Sequence, residues 1–382
     1  MRRIEPTLLA LGILLLAAVL LGWWRFGGFQ AGSPEAAQNL AEVMGPTADA
    51  EAYARVRGPR PLRFPEDHGA HPDHRTEWWY FTGNLRGEDG RDYGFQLTLF
   101  RSALAPSKPD KDSAWTTRQA WMGHFALTDV TAGEHRASER YQRGALGLAG
   151  ASVRPVRVWL DDWEILSAGP ERLFPLRLQA REPDKGIAID LRLDAVKGHV
   201  LQGDRGYSRK GNDPANASRY YSYTRLQAAG EVAFGGRETR AAGSAWLDRE
   251  WSTSALDAGQ QGWDWFALQL DDGRDLMVYR LRRQDGATDR FSAGILVDRE
   301  GRGRPLTAAD FSLVPTRHWR SPQTGSRYPV AWQLEVPSAG LSLGVEARVD
   351  DQEMPTTVRY WEGSVRVDGS ASGVGYLEMT GY

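Results

Sequence analysis

At 382 residues the chain is long enough for two domains of ordinary size, each with its own core. A formal net charge of −2, with Lys and Arg scattered instead of striped along one face, excludes a nucleic-acid footprint. The absence of cysteine excludes disulfides, a lipid-modified Cys and thiol catalysis, whereas fifteen tryptophans stand well above ordinary usage.

The chain opens on Met1-Arg2-Arg3 and runs into "LLALGILLLAAVLLGWW" (Leu8 to Trp24), 17 apolar residues without a break. That is long for a signal peptide's apolar core and short for a spanning helix. Residues 1–28 therefore read as either an uncleaved membrane anchor or a cleaved signal. Trp23, Trp24 and Arg25 suit the far membrane interface, and the positive start exports the body of the protein in both cases. A periplasmic location follows, tied to the inner membrane or released from it. Residues 29–61, rich in Ala, Glu and Pro, read as a flexible tether with a short helix over 34–43.

From Leu62 onward the pattern is β. Short alternating runs such as "YGFQLTLFR", "GHFALTDV" and "IAIDLRLDAV" recur between turn residues, and after Gly230 the rhythm returns in "WDWFALQL", "LMVYRLRR" and "LSLGVEARV". Outside the tether, only residues 307–312 offer a marginal helix. Two stretches share one plan: "EWWYFTGNLRGEDGRDYGFQLTLFR" (77–101) and "GWDWFALQLDDGRDLMVYRLRR" (262–283). In each, a Trp-rich strand leads to an Asp-Gly-Arg-Asp turn and a second strand ending in Arg, a strong hairpin signal. This echo predicts an all-β fold of two related antiparallel barrels in tandem, over residues 62–235 and 236–382. An eight-stranded barrel is wide enough for one small ligand, so the interiors are the expected ligand space.

"FPEDHGAHPDHRTEWWYFTGNL" (64–85) carries three of the seven histidines, at 68, 71 and 74. Pro65 and Pro72 make the segment extended, so the histidines serve either as polar caps on a strand-entry loop or, less naturally, as metal ligands. No metal or cofactor is implied elsewhere: phosphate-cradling glycine loops and a Gly-x-Ser-x-Gly elbow are absent. Alternation puts Glu77 and Trp79 on one strand face, Trp78 and Tyr80 on the other. A carboxyl among rings has its pKa raised and can act as a general acid; the competing reading is a Glu–Arg pair at the barrel rim. Tyr221 and Tyr223 share a face, either as a ligand rim or as an interface between barrels.

In "GSAWLDREWSTSAL" (243–256), Asp248 and Glu250 face one way, Arg249 and Trp251 the other. The group is either a structural ion pair locking strands together or a site that keeps a carboxylic acid protonated. Trp263 and Trp265 share a face and offer ring faces to a developing cation. At the C-terminus, Tyr376, Glu378 and Tyr382 alternate on a strand expected to pair with the first strand of its own barrel.

Seven blocks in order, "DHGAHPDHRTEWWYFTGNL", "LQGDRGYSRKG", "SRYYSYTRL", "AWLDREWSTSAL", "GWDWFALQLDDGRDLM", "YWEG" and "GYLEMTGY", resemble the AttH-like proteins. These are lipocalin-domain proteins, some labelled predicted secreted hydrolases, related to the carotenoid 1,2-hydratases (hydroxyneurosporene synthases). The likeness runs from Phe64 to Tyr382. It implies two lipocalin-like β-barrels and association with an ABC-type export permease. The hydratases carry a His-x-Trp element and then a Tyr-x-Asp element. Here the first matches Arg249-Glu250-Trp251 and the second Tyr279-Arg280-Leu281, so the His and the Asp are both replaced. Arg does not shuttle protons near neutral pH, which weighs against a hydratase of that type. Trp251 and Tyr279 carry over, leaving Glu77, Asp248 and Glu250 as candidate acids.

Two functions follow as expectations. The first is an exported protein binding a lipid- or isoprenoid-like molecule, accessory to a permease, with Trp79, Tyr221, Tyr223, Arg249, Trp251, Trp263, Trp265 and Tyr279 around the ligand. The second is a hydro-lyase or hydrolase acting on an apolar substrate through one of the three carboxylic acids.

Overall fold

The computed structural model describes residues 38–39, 50–107, 113–253, 256–257 and 259–382. The anchor-or-signal reading of 1–28 lies outside them, as does most of the tether. Within the helix expected over 34–43, Gln38–Asn39 is instead a two-residue strand, β1, running parallel to Val358–Arg359. No helix among the described residues is long and apolar enough to cross a membrane.

The alternating runs form two antiparallel sheets, to which β1 adds a short parallel piece. The first takes β2 (Thr76–Gly87), β3 (Asp92–Ala103), β4 (Gln119–Asp129), β5 (Glu134–Arg143), β6 (Ala149–Val153), β7 (Val156–Leu160) and β8 (Trp163–Ser167). It continues with β9 (Leu176–Glu182), β10 (Ile187–Ala195), β11 (Val200–Leu201), β12 (Tyr207–Arg209), β13 (Ala217–Phe234) and β14 (Arg237–Ser252). Its order is β5-β4-β3-β2-β14-β13-β10-β9-β8-β7-β6, with β11 and β12 added on β13. Contacts from β7 to β3, β4 and β5 curl it into a nearly closed barrel.

The second sheet takes β15 (Gln260–Leu270), β16 (Asp275–Arg283), β17 (Ala293–Val297), β18 (Gly303–Thr307) and β19 (Ser312–Arg320). It is completed by β20 (Arg327–Val336), β21 (Leu341–Ala347), β22 (Glu353–Met354), β23 (Val358–Gly369) and β24 (Gly373–Met379). Its order is β18-β17-β16-β15-β24-β23-β21-β20-β19, a half-barrel. As expected, the C-terminal strand β24 pairs with β15, the first strand of its sheet. Of residues 307–312, read as a marginal helix, the two ends belong to β18 and β19 and 308–311 form the turn between them. There the Asp310 carboxylate accepts the Thr307 N–H at 2.7 Å, a local bond that competes with helix.

The internal echo is a structural repeat. Gly87 N–H donates to Arg91 O (2.8 Å) and Gly90 N–H to Gly87 O (3.0 Å); Leu270 to Arg274 (2.9 Å) and Gly273 to Leu270 (3.0 Å) make the same pair. The carboxylates of Asp89 and Asp272 each accept the N–H two residues on, at 3.1 and 3.0 Å. Gly90 and Gly273 hold φ of 78° and 88°, which the turn needs and a side chain resists. The order β16-β15-β24-β23-β21-β20 repeats β3-β2-β14-β13-β10-β9. One boundary is corrected. The sequence assigns 236 onward to the second barrel, yet β14 is hydrogen-bonded between β13 and β2, so the first sheet runs to Ser252.

Inward-facing side chains of the first sheet make one apolar core around Trp79, Phe81, Phe95, Trp121, Phe125 and Trp163. Those of the second do the same around Phe266, Trp332, Trp361 and Leu377. The barrel interiors are therefore packed cores, where the sequence led us to expect ligand space. Each large side chain so buried contributes roughly 1.5–3 kcal/mol.

The two sheets meet on their outer faces, and the ends of the repeated hairpins tie them together. Asp92, after the first turn, accepts Arg348 at 2.5 Å from just beyond β21. Its counterpart Asp275 accepts Lys197 at 2.7 Å from just beyond β10, with Arg225 at 2.6 Å and Thr224 at 2.8 Å. The contact is exchanged in both directions, as across an isologous dimer interface. Asn84 Nδ2 donates to Gly375 O at 3.1 Å, and Gln269 Nε2 to Thr224 O and Ala245 O at 2.8 and 2.9 Å.

Candidate active site

Between the packed outer faces of the sheets lies a cavity of about 80 Å³. Since one water needs roughly 10–15 Å³ of such space, it takes several waters or a slender organic group. Period-2 alternation builds its walls. Strand β2 contributes Trp78 and Tyr80, β14 Asp248 and Glu250, β15 Trp263 and Trp265, β16 Tyr279 and Leu281, and β23 Tyr360 and Glu362. Glu378 of β24, Tyr220 of β13, Thr98 and Phe100 of β3, and Lys210, from the loop after β12, complete it. On the second sheet Tyr279, Trp265, Glu378 and Glu362 are direct cross-strand neighbours in one row. On the first, Tyr220, Glu250, Trp78 and Phe100 form another. Trp78, Phe100 and Trp263 are half-buried and mark the mouth.

Among the described residues, four carboxyls thus share this aromatic chamber with one ammonium group, and each is buried. Asp248 accepts Ser222 Oγ (2.5 Å), Trp246 Nε1 (2.7 Å) and the Tyr220 hydroxyl. Burial still pushes it up to about 7 against those three donors, helped by the neighbouring Glu250. Glu250 is raised by burial and partly offset by Lys210, 3.6 Å away. Burial and the charges of Asp248 and Glu250 lift Glu378 to about 8, although Trp263 Nε1 donates to it at 3.0 Å. Glu362 is raised furthest from ordinary behaviour, by burial and then by Glu378. The buried hydroxyls of Tyr80 and Tyr360 stand beside it, and neither Glu362 oxygen makes a hydrogen bond of good geometry with them. The Tyr360 hydroxyl meets His124 Nδ1 at 2.7 Å; burial holds His124 down to about 3, so it stays neutral. Such a set keeps carboxylic acids protonated at neutral pH, ready to give protons to a weakly basic substrate.

The structure divides the residues singled out from the sequence. Asp248, Glu250, Trp263, Trp265 and Tyr279 come together in the cavity. Glu77, Trp79, Tyr221, Tyr223, Arg249 and Trp251 lie on the opposite face of the first sheet; of these, Trp79, Tyr221, Tyr223 and Trp251 belong to that barrel's own core. Glu77 sits in an ionic knot with Arg101 and Arg249, both almost fully buried, and also accepts the His71 N–H at 2.9 Å. Burial would raise its pKa, but Arg249, Arg101 and His71 together outweigh that and hold Glu77 well below the usual carboxylate range. It is an anion and no proton donor. The Arg249 guanidinium lies 3.9 Å over the Trp79 ring, and His71 stacks on Trp251 at 3.8 Å. The alternative of a structural Glu–Arg pair is the one found.

The loop histidines join this knot: His71 Nε2 meets Asp67 at 3.1 Å, and His68 Nδ1 meets the Tyr221 hydroxyl at 2.7 Å. Among the described residues no group of three His, Asp or Glu has the arrangement of a metal site. Sequence reasoning missed Glu362, Tyr360 and Lys210, and gave Glu378 only a closing role. The signal for the two glutamates was present. Each stands two residues from a Tyr, in "RYWEGSV" and "GYLEM", on the face that Tyr occupies.

Known proteins share this architecture. The crystal structure of an AttH protein from Nitrosomonas europaea superimposes with a TM-score of 0.76 at 35% identity, covering 86% of this chain and 99% of that one. Kievitone hydratase from Nectria haematococca has the same fold, with a TM-score of 0.64 at 14% identity over 86% of this chain and 95% of its own. In sequence, kievitone hydratase from Fusarium solani subsp. phaseoli is 24% identical over 143 residues, which span 35% of this chain and 39% of that enzyme's length. The AttH-like family model matches residues 55–382, nearly all of the two-sheet body, and the chain belongs to the AttH-like family.

Proposed function

We propose that the cavity between the sheets catalyses acid-initiated addition of water to a carbon–carbon double bond of an apolar substrate, or the reverse elimination. The observation that carries this reading is the convergence of Asp248, Glu250, Glu362 and Glu378 on one ring-lined space with Lys210 as the lone ammonium group there. The similarity to kievitone hydratase, an enzyme named for hydrating kievitone, points the same way.

Glu362 and Glu378 form one wall and favour the protonated form. A proton from this pair goes to one alkene carbon; the π electrons make the new C–H bond and leave a cation on the neighbouring carbon. The rings of Trp263 and Trp265 line this space, and aromatic rings are suited to stabilise such a cation. A water oxygen then bonds to the cationic carbon and its proton passes to a carboxylate. Asp248 suits that role, because three donors favour its anion. Lys210 neutralises Glu250. Arg249 and Trp251, which match the family's His-x-Trp element, face the barrel core and act on the cavity only through the strand they share with Glu250.

The test is turnover of kievitone and acyclic carotenoids in oxygen-18 water, read by mass spectrometry. Incorporation of one labelled water, lost in Glu378→Gln, is the expected result; no incorporation by any panel member removes the proposal. A second reading, a carrier that holds a lipid- or isoprenoid-like molecule beside an export permease outside the inner membrane, is favoured by the apolar run at residues 8–24. Recovery of an unmodified apolar molecule from protein purified out of membranes separates it from catalysis.

A further inference from the structure

We propose that this cavity binds small organic ammonium ions, the Glu362–Glu378 pair releasing a proton to solvent to become the counter-ion and the rings of Trp263 and Trp265 forming its walls. The proposal rests on the assignment of this cavity as the site and extends it to a ligand class. Three observations carry it. Four carboxyls face one lysine, and Lys210 is already taken by Glu250 at 3.6 Å, so three acids have no cation. Glu362 is 1% exposed and lines open space, and beyond the neighbouring hydroxyls of Tyr80 and Tyr360, which miss good hydrogen-bond geometry, neither of its oxygens has a partner. Natural proteins seldom leave a buried carboxyl in that state unless something else completes it.

The rings already receive one cation. Lys210 Nζ lies 4.1 Å from the centre of the Tyr279 ring and 5.3 Å from that of Tyr220, the geometry of cation–π contact. Trp265 stands beside Tyr279 in the same cross-strand row, and Glu378 beside Trp265. A second ammonium group placed along that row meets ring faces on one side and the Glu378–Glu362 pair at its end. A cavity with room for several waters admits a head group of trimethylammonium size. The fit also agrees with the proposed reaction, whose protonated intermediate carries the same charge.

The test compares choline with 3,3-dimethylbutan-1-ol, its uncharged isostere, on the full chain, using calorimetry and tryptophan fluorescence. Choline is expected to bind at least about tenfold tighter than the alcohol, the worth of one desolvated cation–π contact. In Glu362→Gln with Glu378→Gln that preference disappears while the alcohol's affinity is kept. Equal or tighter binding of the alcohol overturns the ammonium proposal and leaves an apolar site standing. Binding of neither molecule removes both the proposal and the site. The wild-type comparison decides the matter even where the double variant does not fold.

Discussion

Asp248 and Glu250 come from one sheet, Glu362 and Glu378 from the other, and the consequences of changing them differ from those of changing Glu77. Replacing a buried acid that is already neutral by its amide keeps shape and polarity. Glu378→Gln should therefore fold with a melting temperature at or above that of the parent, whereas Asp248→Asn turns an amide towards three donors and should fold with a lower one. Hydration should fall by roughly 10²–10⁴-fold in each, the usual worth of positioned acid–base catalysis; equal turnover in both variants, measured by oxygen-18 incorporation, would clear these residues of the role. Glu77→Gln is expected to do the opposite. It leaves Arg101 and Arg249 buried without their shared anion, which costs about 3–5 kcal/mol and lowers the urea midpoint accordingly. The two kinds of carboxyl look alike in the sequence, each a Glu or Asp in an alternating strand rich in aromatic residues, and only the spatial neighbours tell them apart.

At the scale of elements, the repeated hairpin is the unit from which both sheets grow. Gly90 has nothing within 4 Å of where a Cβ would stand, and its φ is 78°. Gly90→Ala therefore isolates the backbone cost of a left-handed residue, about 1–2 kcal/mol, readable as a shift in the denaturant midpoint at unchanged slope. This hairpin was legible because Asp-Gly between alternating runs has few other solutions. The alternation that identified the strands also paired the right residues by face: Asp248 with Glu250, Trp263 with Trp265. It did not say which face was which. Strand β14 shows why. It is long enough to belong to either repeat, and its placement depends on hydrogen bonds to β13 and β2, which come from distant parts of the chain.

For the whole molecule, the two carboxyl populations set opposite pH dependences. Asp248 at about 7 and Glu378 at about 8 are protonated in the folded chain where the unfolded chain has already ionised them. Their stabilisation is full below the ordinary carboxylate range and fades as pH rises towards 8. Glu77 is held low, so its contribution is present above that range and is lost as pH falls through it. Thermal stability should peak in mildly acidic solution and decline towards pH about 8, as scanning calorimetry would show; Glu378→Gln should flatten the alkaline side. Activity should fall over the same interval, because the acid form is being lost.

Local rules determined a good deal of this protein from the sequence alone. Alternation and turn chemistry specified an all-β chain, the internal echo specified a duplicated hairpin plan, and seven motif blocks identified the family. These are properties of short segments, where side-chain period and allowed backbone angles act within a few residues. Tertiary structure alone decided that the barrel interiors are packed cores and that the cavity lies between their outer faces. It also decided that Glu77 is a paired anion, while Glu362 and Glu378 stand with Asp248 and Glu250 in a chamber built from both repeats. The reason is physical: burial and electrostatic pairing depend on what packs against a face, and here that partner is more than a hundred residues away along the chain.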